Sequence, residues 1–179
     1  MRRGCLVKTG KLVALALVVA AVSHVAVIVV APYVLMRGAM KRVSREGTSI
    51  NRWNHGKRVS ETSRRVVRPS PDLAYSACVY DLSDGPIRVT AAAWDDYMSV
   101  SAFAANSDNF FVINDRQAPN GVDFTLVREG EPKPADAAMV VESPSTRGII
   151  LQRRVAPTEE RFAKADEIRQ GDLCGPAPE

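Results

Sequence analysis

From Leu12 to Met36 the chain carries no charged residue and is built mainly of Val, Ala and Leu, as in LVALALVVAAV and VAVIVVA. A helix packed on a soluble core keeps a polar face, and this run offers none. At 1.5 Å per residue it reaches about 37 Å as a helix, enough to cross a bilayer with some tilt. Arg2, Arg3, Lys8 and Lys11 precede it in the manner of a signal n-region. The apolar stretch is long for a cleaved signal, and no clear small-x-small site follows. The expectation is therefore a basic segment over 1–11 and an uncleaved, single-pass signal anchor over 12–36. Arg37, Lys41, Arg42 and Arg45 follow closely, so positive charge nearly balances across the span and leaves its orientation open. His24 in the span is a relay or helix-contact residue, or is simply tolerated; Pro32 introduces a local bend.

The charge of the whole chain, +4, conceals a division. Met1 to Arg68 holds fourteen Lys/Arg against Glu46 and Glu61; Pro69 to Glu179 holds ten against eighteen Asp/Glu. Basic segments bind nucleic acid or anionic lipid. With an apolar span beside these residues and no nucleic-acid motif, the lipid bilayer is the expected partner and nucleic acid is not. Residues 37–68 read as a basic tether. A short helix continues through about Arg45, and NRWNHGKRVSETSRRVVRPSP is extended or flexible. Trp53 sits at the headgroups or packs on the domain.

Residues 69–179 form the domain, with strand signals from Leu73 onward. LAYSACVYDL alternates Leu73, Tyr75, Ala77 and Val79 with Ser76, Cys78, Tyr80 and Leu82. The segments IRVTAAA, YMSVSAFAA, FFVIN, VDFTLVRE, AMVVE and RGIILQRRV follow, separated by turn-forming clusters such as Ser83-Asp84-Gly85-Pro86 and Asn106-Ser107-Asp108-Asn109. Seven short strands at this spacing predict a mainly β fold, an antiparallel sandwich or barrel. Thr158 as N-cap, Glu159 and Glu160 in the first turn, and Gly171 as a stop predict one C-terminal helix.

Both histidines, His24 and His55, precede this domain. Their absence from it removes the Ser–His and Cys–His nucleophile pairs and most transition-metal sites. Asp72, Tyr75 and Ser76 open the first strand, and Asn106, Asp108, Asn109 and Asp115 surround a later turn; together their oxygens could converge on Ca²⁺ or another ligand. No EF-hand spacing accompanies them, and Asx residues in turns usually bond their own backbone. Asp72, Asp81, Asp95 and Asp96 could supply a glycosidase-like pair, but no spacing pairs them. Tyr75, Tyr80, Tyr97, Phe103, Phe110, Phe111 and Phe124 line a sugar or lipid pocket or, at strand periodicity, fill a core. No phosphate loop or dinucleotide fingerprint is present. No catalytic residue, metal ligand or cofactor is assigned.

The segment Asp72-Leu73-x-Tyr75-Ser76, the turn Asp81-Leu82-Ser83-x-Gly85-Pro86 and the Tyr97 strand leading into Asn106-x-Asp108-Asn109-Phe110 resemble the bacterial domain of unknown function 1254. The likeness runs from about Arg68 to Ile113 and more loosely beyond. Longer proteins of this pattern are exported and join the domain to a second β-rich one, number 1214. The chain resembles a short, membrane-anchored branch in which that companion is a separate protein. The resemblance implies a periplasmic domain on the bacterial inner membrane and a companion-domain protein as partner; it supplies no reaction. In an exported domain Cys78 and Cys174 are an even pair available for a disulfide; otherwise Cys78 is a small buried residue. The expected function is a non-catalytic accessory module, the alternative a ligand-binding protein or carboxylate-based enzyme acting on envelope lipid or carbohydrate.

Overall fold

A computed structural model describes residues 2–60, 62–63 and 68–177, with the side chains of residues 2–9 excepted. Glu61 and residues 64–67 of the expected tether therefore lie outside the described residues, as do the side chains of Arg2, Arg3 and Lys8 and the last two residues of the domain.

Helix α1 covers Arg2–Val43 without interruption and contains Pro32. Within its stretch Gly10–Val43 the most apolar 18-residue window has a mean hydropathy of 2.8 and is unburied. The strands are β1 (Trp53–His55), β2 (Leu73–Asp81), β3 (Ile87–Ala91), β4 (Met98–Ala104), β5 (Asn109–Asn114), β6 (Val122–Arg128), β7 (Val140–Ser143), β8 (Arg147–Val155) and β9 (Cys174–Pro176), with α2 (Glu159–Arg169) before the last. They form two packed sheets, in the orders β1-β2-β8-β4-β5 and β7-β6-β3-β9. The fold is thus a sandwich rather than a barrel. Among the described strands every pair is antiparallel, as expected, except β6–β7, which is parallel. The Pro-rich connection from Glu129 to Met139 carries the chain back so that β7 enters in the same direction as β6.

Alternation places Ala74, Cys78 and Tyr80 of β2 against Val89 of β3 and Phe124 and Leu126 of β6, all buried. Tyr80 lies so close over Gly148 that a Cβ there would sit 2.4 Å from its hydroxyl and 2.1 Å from the Phe103 carbonyl oxygen. The Tyr80 hydroxyl meets Ser143 Oγ at 2.9 Å, a bond from one sheet to the other. Cys78 and Cys174 are joined by a disulfide across 96 residues, with Cα atoms 6.7 Å apart. The bridge ties β9, which the sequence did not signal, to β2 in the opposite sheet.

A buried ion pair joins the sheets as well. Arg154 on β8 donates to both Asp172 carboxylate oxygens, at 2.8 and 3.3 Å, and to the Ala92 carbonyl at 2.9 Å. Asp172 accepts in addition from Gln152 Nε2 and from the Ala92 amide, each at 2.8 Å. Both side chains are almost wholly shielded from solvent. Burial is tolerable because nearly every lone pair and proton has a partner.

The expected tether is, in its described first part, a piece of the sandwich. Trp53 to His55 pair with Cys78 to Ser76 as β1, and Trp53 packs on the core. Asn51 clamps the end of β2, donating to the Asp81 carbonyl at 2.9 Å and accepting from its amide at 2.8 Å. At the end of α1, Arg45, Glu46 and Gly47 all take positive φ, and the buried Ser44 Oγ accepts from the Gly47 amide at 3.0 Å. The last turns of α1 dock as well. Met36, Ala39, Met40 and Val43 pack on Val79, Ile149 and Phe103, on the outer face of the first sheet. Burying a side chain the size of Met36 contributes about 1.5–3 kcal/mol.

The register gives this contact a direction. Phe103 pairs with Ile149, Ile149 with Val79, and Val79 with Ile50, so these residues form one row running across the strands. The helix lies along that row. It begins beside the β4–β5 turn, where Ser107 Oγ donates to the Pro32 carbonyl at 3.1 Å, and ends next to β1. Twelve residues from Pro32 to Ser44 rise about 18 Å, enough to cover the roughly 14 Å of the row's three inter-strand steps.

Candidate functional site

The six residues expected to form a ligand or interface site do not converge. Tyr75 and Ser76 sit on β2 beside β1: the Tyr75 hydroxyl accepts from the Ser70 amide at 2.9 Å, and Ser76 Oγ meets His55 Nδ1 at 2.9 Å. Asp72 is exposed at the start of β2, its carbonyl accepting from the Ala156 amide. Asn106, Asp108 and Asn109 occupy the β4–β5 turn, two strands away in the sheet and toward its other end. There Asn106 Oδ1 accepts from the Asp108 amide at 3.2 Å, and Asn109 Nδ2 donates to the Ala102 carbonyl at 3.2 Å. These are turn and edge bonds of the kind Asx residues make for themselves. Among the described residues no group of three or more His, Cys, Asp or Glu is placed to hold a metal.

Of the acids suspected of pairing, Asp81, Asp95 and Asp96 are held by cations instead. Arg161 and Lys164 of α2 bond Asp95, and hydrogen bonds from Lys164 and then Arg161 lower its carboxyl from the ordinary value. Burial pushes Asp81 up, but hydrogen bonds from Ser83 and Arg147 outweigh it and leave the carboxyl lowered. None of these shifts suits an acid that must hold a proton at neutral pH.

What the fold does assemble is a basic groove of about 530 Å³ between β1 with its flanks and the outer side of α2. Arg45, Arg52, Lys57 and Arg58 reach it and are exposed. Arg58 donates to Glu159 at 2.5 Å; Arg45, Arg52 and Lys57 make no ion pair among the described residues. The floor is built and rigid. Arg169, 2 % exposed, donates to the Tyr75 carbonyl at 2.9 Å and the Gly56 carbonyl at 2.6 Å, pairs with Asp166, and lies 5.3 Å from the Phe162 ring. Trp53 lines the wall, and its buried Nε1 has no hydrogen-bond partner among the described residues. Burial, followed by the Arg169 charge, lowers His55 from its ordinary value, so the imidazole is neutral beside Ser76 at pH 7.

A larger hollow of about 700 Å³ lies between the β2–β3 turn and the Pro-rich connection. Its walls are mostly turn and proline residues, and Lys133 there is paired with Glu142. The groove is the better candidate because Asp166 is the one acid in its lining, and three of its cations, Arg45, Arg52 and Lys57, make no ion pair among the described residues. Sequence reading registered these cations as a charge run on a tether. The α2 wall comes from residues more than a hundred positions later, as the Gly56–Arg169 bond illustrates.

No curated protein sequence matches the chain. Among solved structures, the VPA0106 protein of Vibrio parahaemolyticus is similar over 79% of this chain and 35% of its own, at 14% identity and a TM-score of 0.59. An uncharacterised Burkholderia cenocepacia protein matches over 65% of this chain and 34% of its own, at 14% identity and a TM-score of 0.47. The chain thus spans about a third of the length of these solved relatives, and the first likeness is one of fold. The family model for proteins of unknown function DUF1254 matches residues 50–176, beginning at the segment that leads into β1 and ending with β9, and the chain belongs to that family.

Proposed function

We propose that the protein is a single-pass envelope protein of the bacterial inner membrane, with α1 as an uncleaved anchor and the sandwich in the periplasm as a non-catalytic docking module. The partner is a separate protein carrying the companion β-rich domain 1214, and it presents an acidic surface to the basic groove. One observation carries the reading: three cations without acidic partners converge over a rigid floor, in a domain whose residues from Pro69 onward are net acidic. Complementary charge supplies orientation and on-rate in such contacts. The Cys78–Cys174 bridge supports an oxidising compartment. The docking of Met36, Met40 and Val43 on the sheet supports retention of α1. In the Vibrio protein the same fold is one part of a longer chain, which supports a neighbour for it.

The groove volume also falls within the range of small-ligand sites, which favours a second reading in which an anionic envelope lipid or carbohydrate occupies it. Affinity purification of the full-length protein from gently solubilised native membranes separates the two. A stoichiometric companion that is lost in the Arg52→Glu/Lys57→Glu variant supports docking. Recovery of the protein with bound lipid or sugar and no companion supports the second reading, and a companion retained by the variant removes the groove from the interface.

A further inference from the structure

We propose that the β4–β5 turn and the β5 edge rest in the phospholipid headgroup layer of the protein's own membrane, with the strands lying along the bilayer and the basic groove facing away from it. The inference rests on the anchor reading above and is argued from one turn of α1. Tyr33, Val34 and Leu35 are 45%, 58% and 71% exposed, whereas Met36, next in sequence, is 7% exposed because it packs on Val79 and Ile149. The apolar run ends at Met36, and Arg37 is the first charge after it. One side of this turn thus requires lipid while the other is covered by the sheet. Bilayer and sandwich meet the helix at the same level, and Tyr33 stands where interfacial aromatic residues gather.

Ser107 marks what lies at that level, since its hydroxyl bonds the Pro32 carbonyl. The β4–β5 turn is therefore at the height where the lipid-exposed part of α1 ends. β5, the outermost strand on that side, has the sequence NFFVIN, with no charge or proline and an outer edge unpaired among the described residues. Val112 on it is 54% exposed. A bare, uncharged strand edge is ordinarily an association hazard. Next to headgroups, its unpaired amides and carbonyls meet phosphates, esters and interfacial water, and Val112 meets the glycerol region. Asn106, Asn109 and Asn114 around it supply further donors and acceptors. Because α1 crosses the strands, β1 and the cations at Arg45, Arg52 and Lys57 stand about 18 Å farther out along the helix, beyond the reach of the same headgroups.

The test uses the full-length chain with Cys5→Ala, reconstituted in phosphatidylethanolamine/phosphatidylglycerol vesicles. Single cysteines at Leu17, Val112 and Arg52 carry an environment-sensitive fluorophore, with the Cys78–Cys174 bridge intact. Quenchers attached to the lipid headgroup and to the mid-acyl chain report depth. The proposal expects acyl-chain quenching at position 17, headgroup quenching at 112, and several-fold weaker quenching at 52. Equal quenching at 112 and 52, or stronger quenching at 52, with position 17 still in the acyl layer, overturns the orientation and leaves the anchor standing. A label at 17 untouched by the acyl quencher overturns the anchor and the proposal together.

Discussion

Reducing the Cys78–Cys174 bridge should cost as much stability as the most damaging single side-chain changes in the core. The bridge closes a loop across 96 residues. In the chain-entropy description such a loop removes about 4.7 kcal/mol of freedom from the unfolded chain at 25 °C. A domain of this size has a total stability of about 5–15 kcal/mol, so a third or more of it is at stake. The native side offers little to compensate, because β9 is three residues long and pairs only with β3. The assay is urea unfolding of the full-length Cys5→Ala protein in detergent, followed by the fluorescence of Trp53 and Trp94, both packed on the core. With an m-value of about 2 kcal/mol/M, reduction should lower the midpoint by roughly 2 M. Reduction of the unsubstituted pair is the cleaner arm, because Cys78→Ala/Cys174→Ala also leaves small cavities where sulfur was buried. In the oxidised protein, unfolding without reductant should expose no thiol. A midpoint that moves by less than about 0.5 M on reduction, at unchanged m, would refute the argument that loop closure is what the bridge contributes.

Asp172→Ala should destabilise the domain by about 3–5 kcal/mol, because it strands the Arg154 charge in the core and orphans the Gln152 and Ala92 donors. The apolar pair Arg154→Met/Asp172→Leu should recover most of that loss in the same urea assay; a double variant as weak as the single one would contradict it. His55 gives a pH dependence of known sign. Its folded-state pKa lies below 6.5 through burial and the Arg169 charge, so the unfolded chain takes up the proton first as pH falls. Its share of stability is complete above pH 6.5 and is lost as pH drops through the folded value. His55→Gln should flatten the pH profile in that window, and an NMR titration placing His55 at or above 6.5 would refute the assignment.

The strands from β2 to β8 are legible in the sequence because their alternation, turn clusters and lengths agree. Which face of β2 turns inward is not. Val79 and Ala77 are covered by α1 and Cys78 and Tyr80 by the opposite sheet, so both faces are apolar. β1 and β9 are three residues each, too short for any periodicity, and exist because a neighbouring strand and a disulfide hold them. The helix cap at Thr158 was legible because its chemistry is local: its hydroxyl accepts from the Arg161 amide at 3.2 Å. The groove and the Arg154–Asp172 pair were not, because each joins residues brought together only by the sheet order. For the same reason Asp72 and Asn106, both plausible ligands in sequence, are kept apart by a register that no local pattern encodes.

Docked across the strands by Met36, Met40 and Val43, α1 cannot swivel beneath the sandwich. One helix therefore sets a compass bearing as well as a height. Each residue added within the apolar run ahead of Pro32 would turn the groove by about 100° around the helix axis while lifting it only about 1.5 Å. A flexible tether would absorb such an insertion without effect, whereas this joint converts residue count into azimuth. A partner carried on its own membrane helix would find the groove open from one side of the span and shielded from the other.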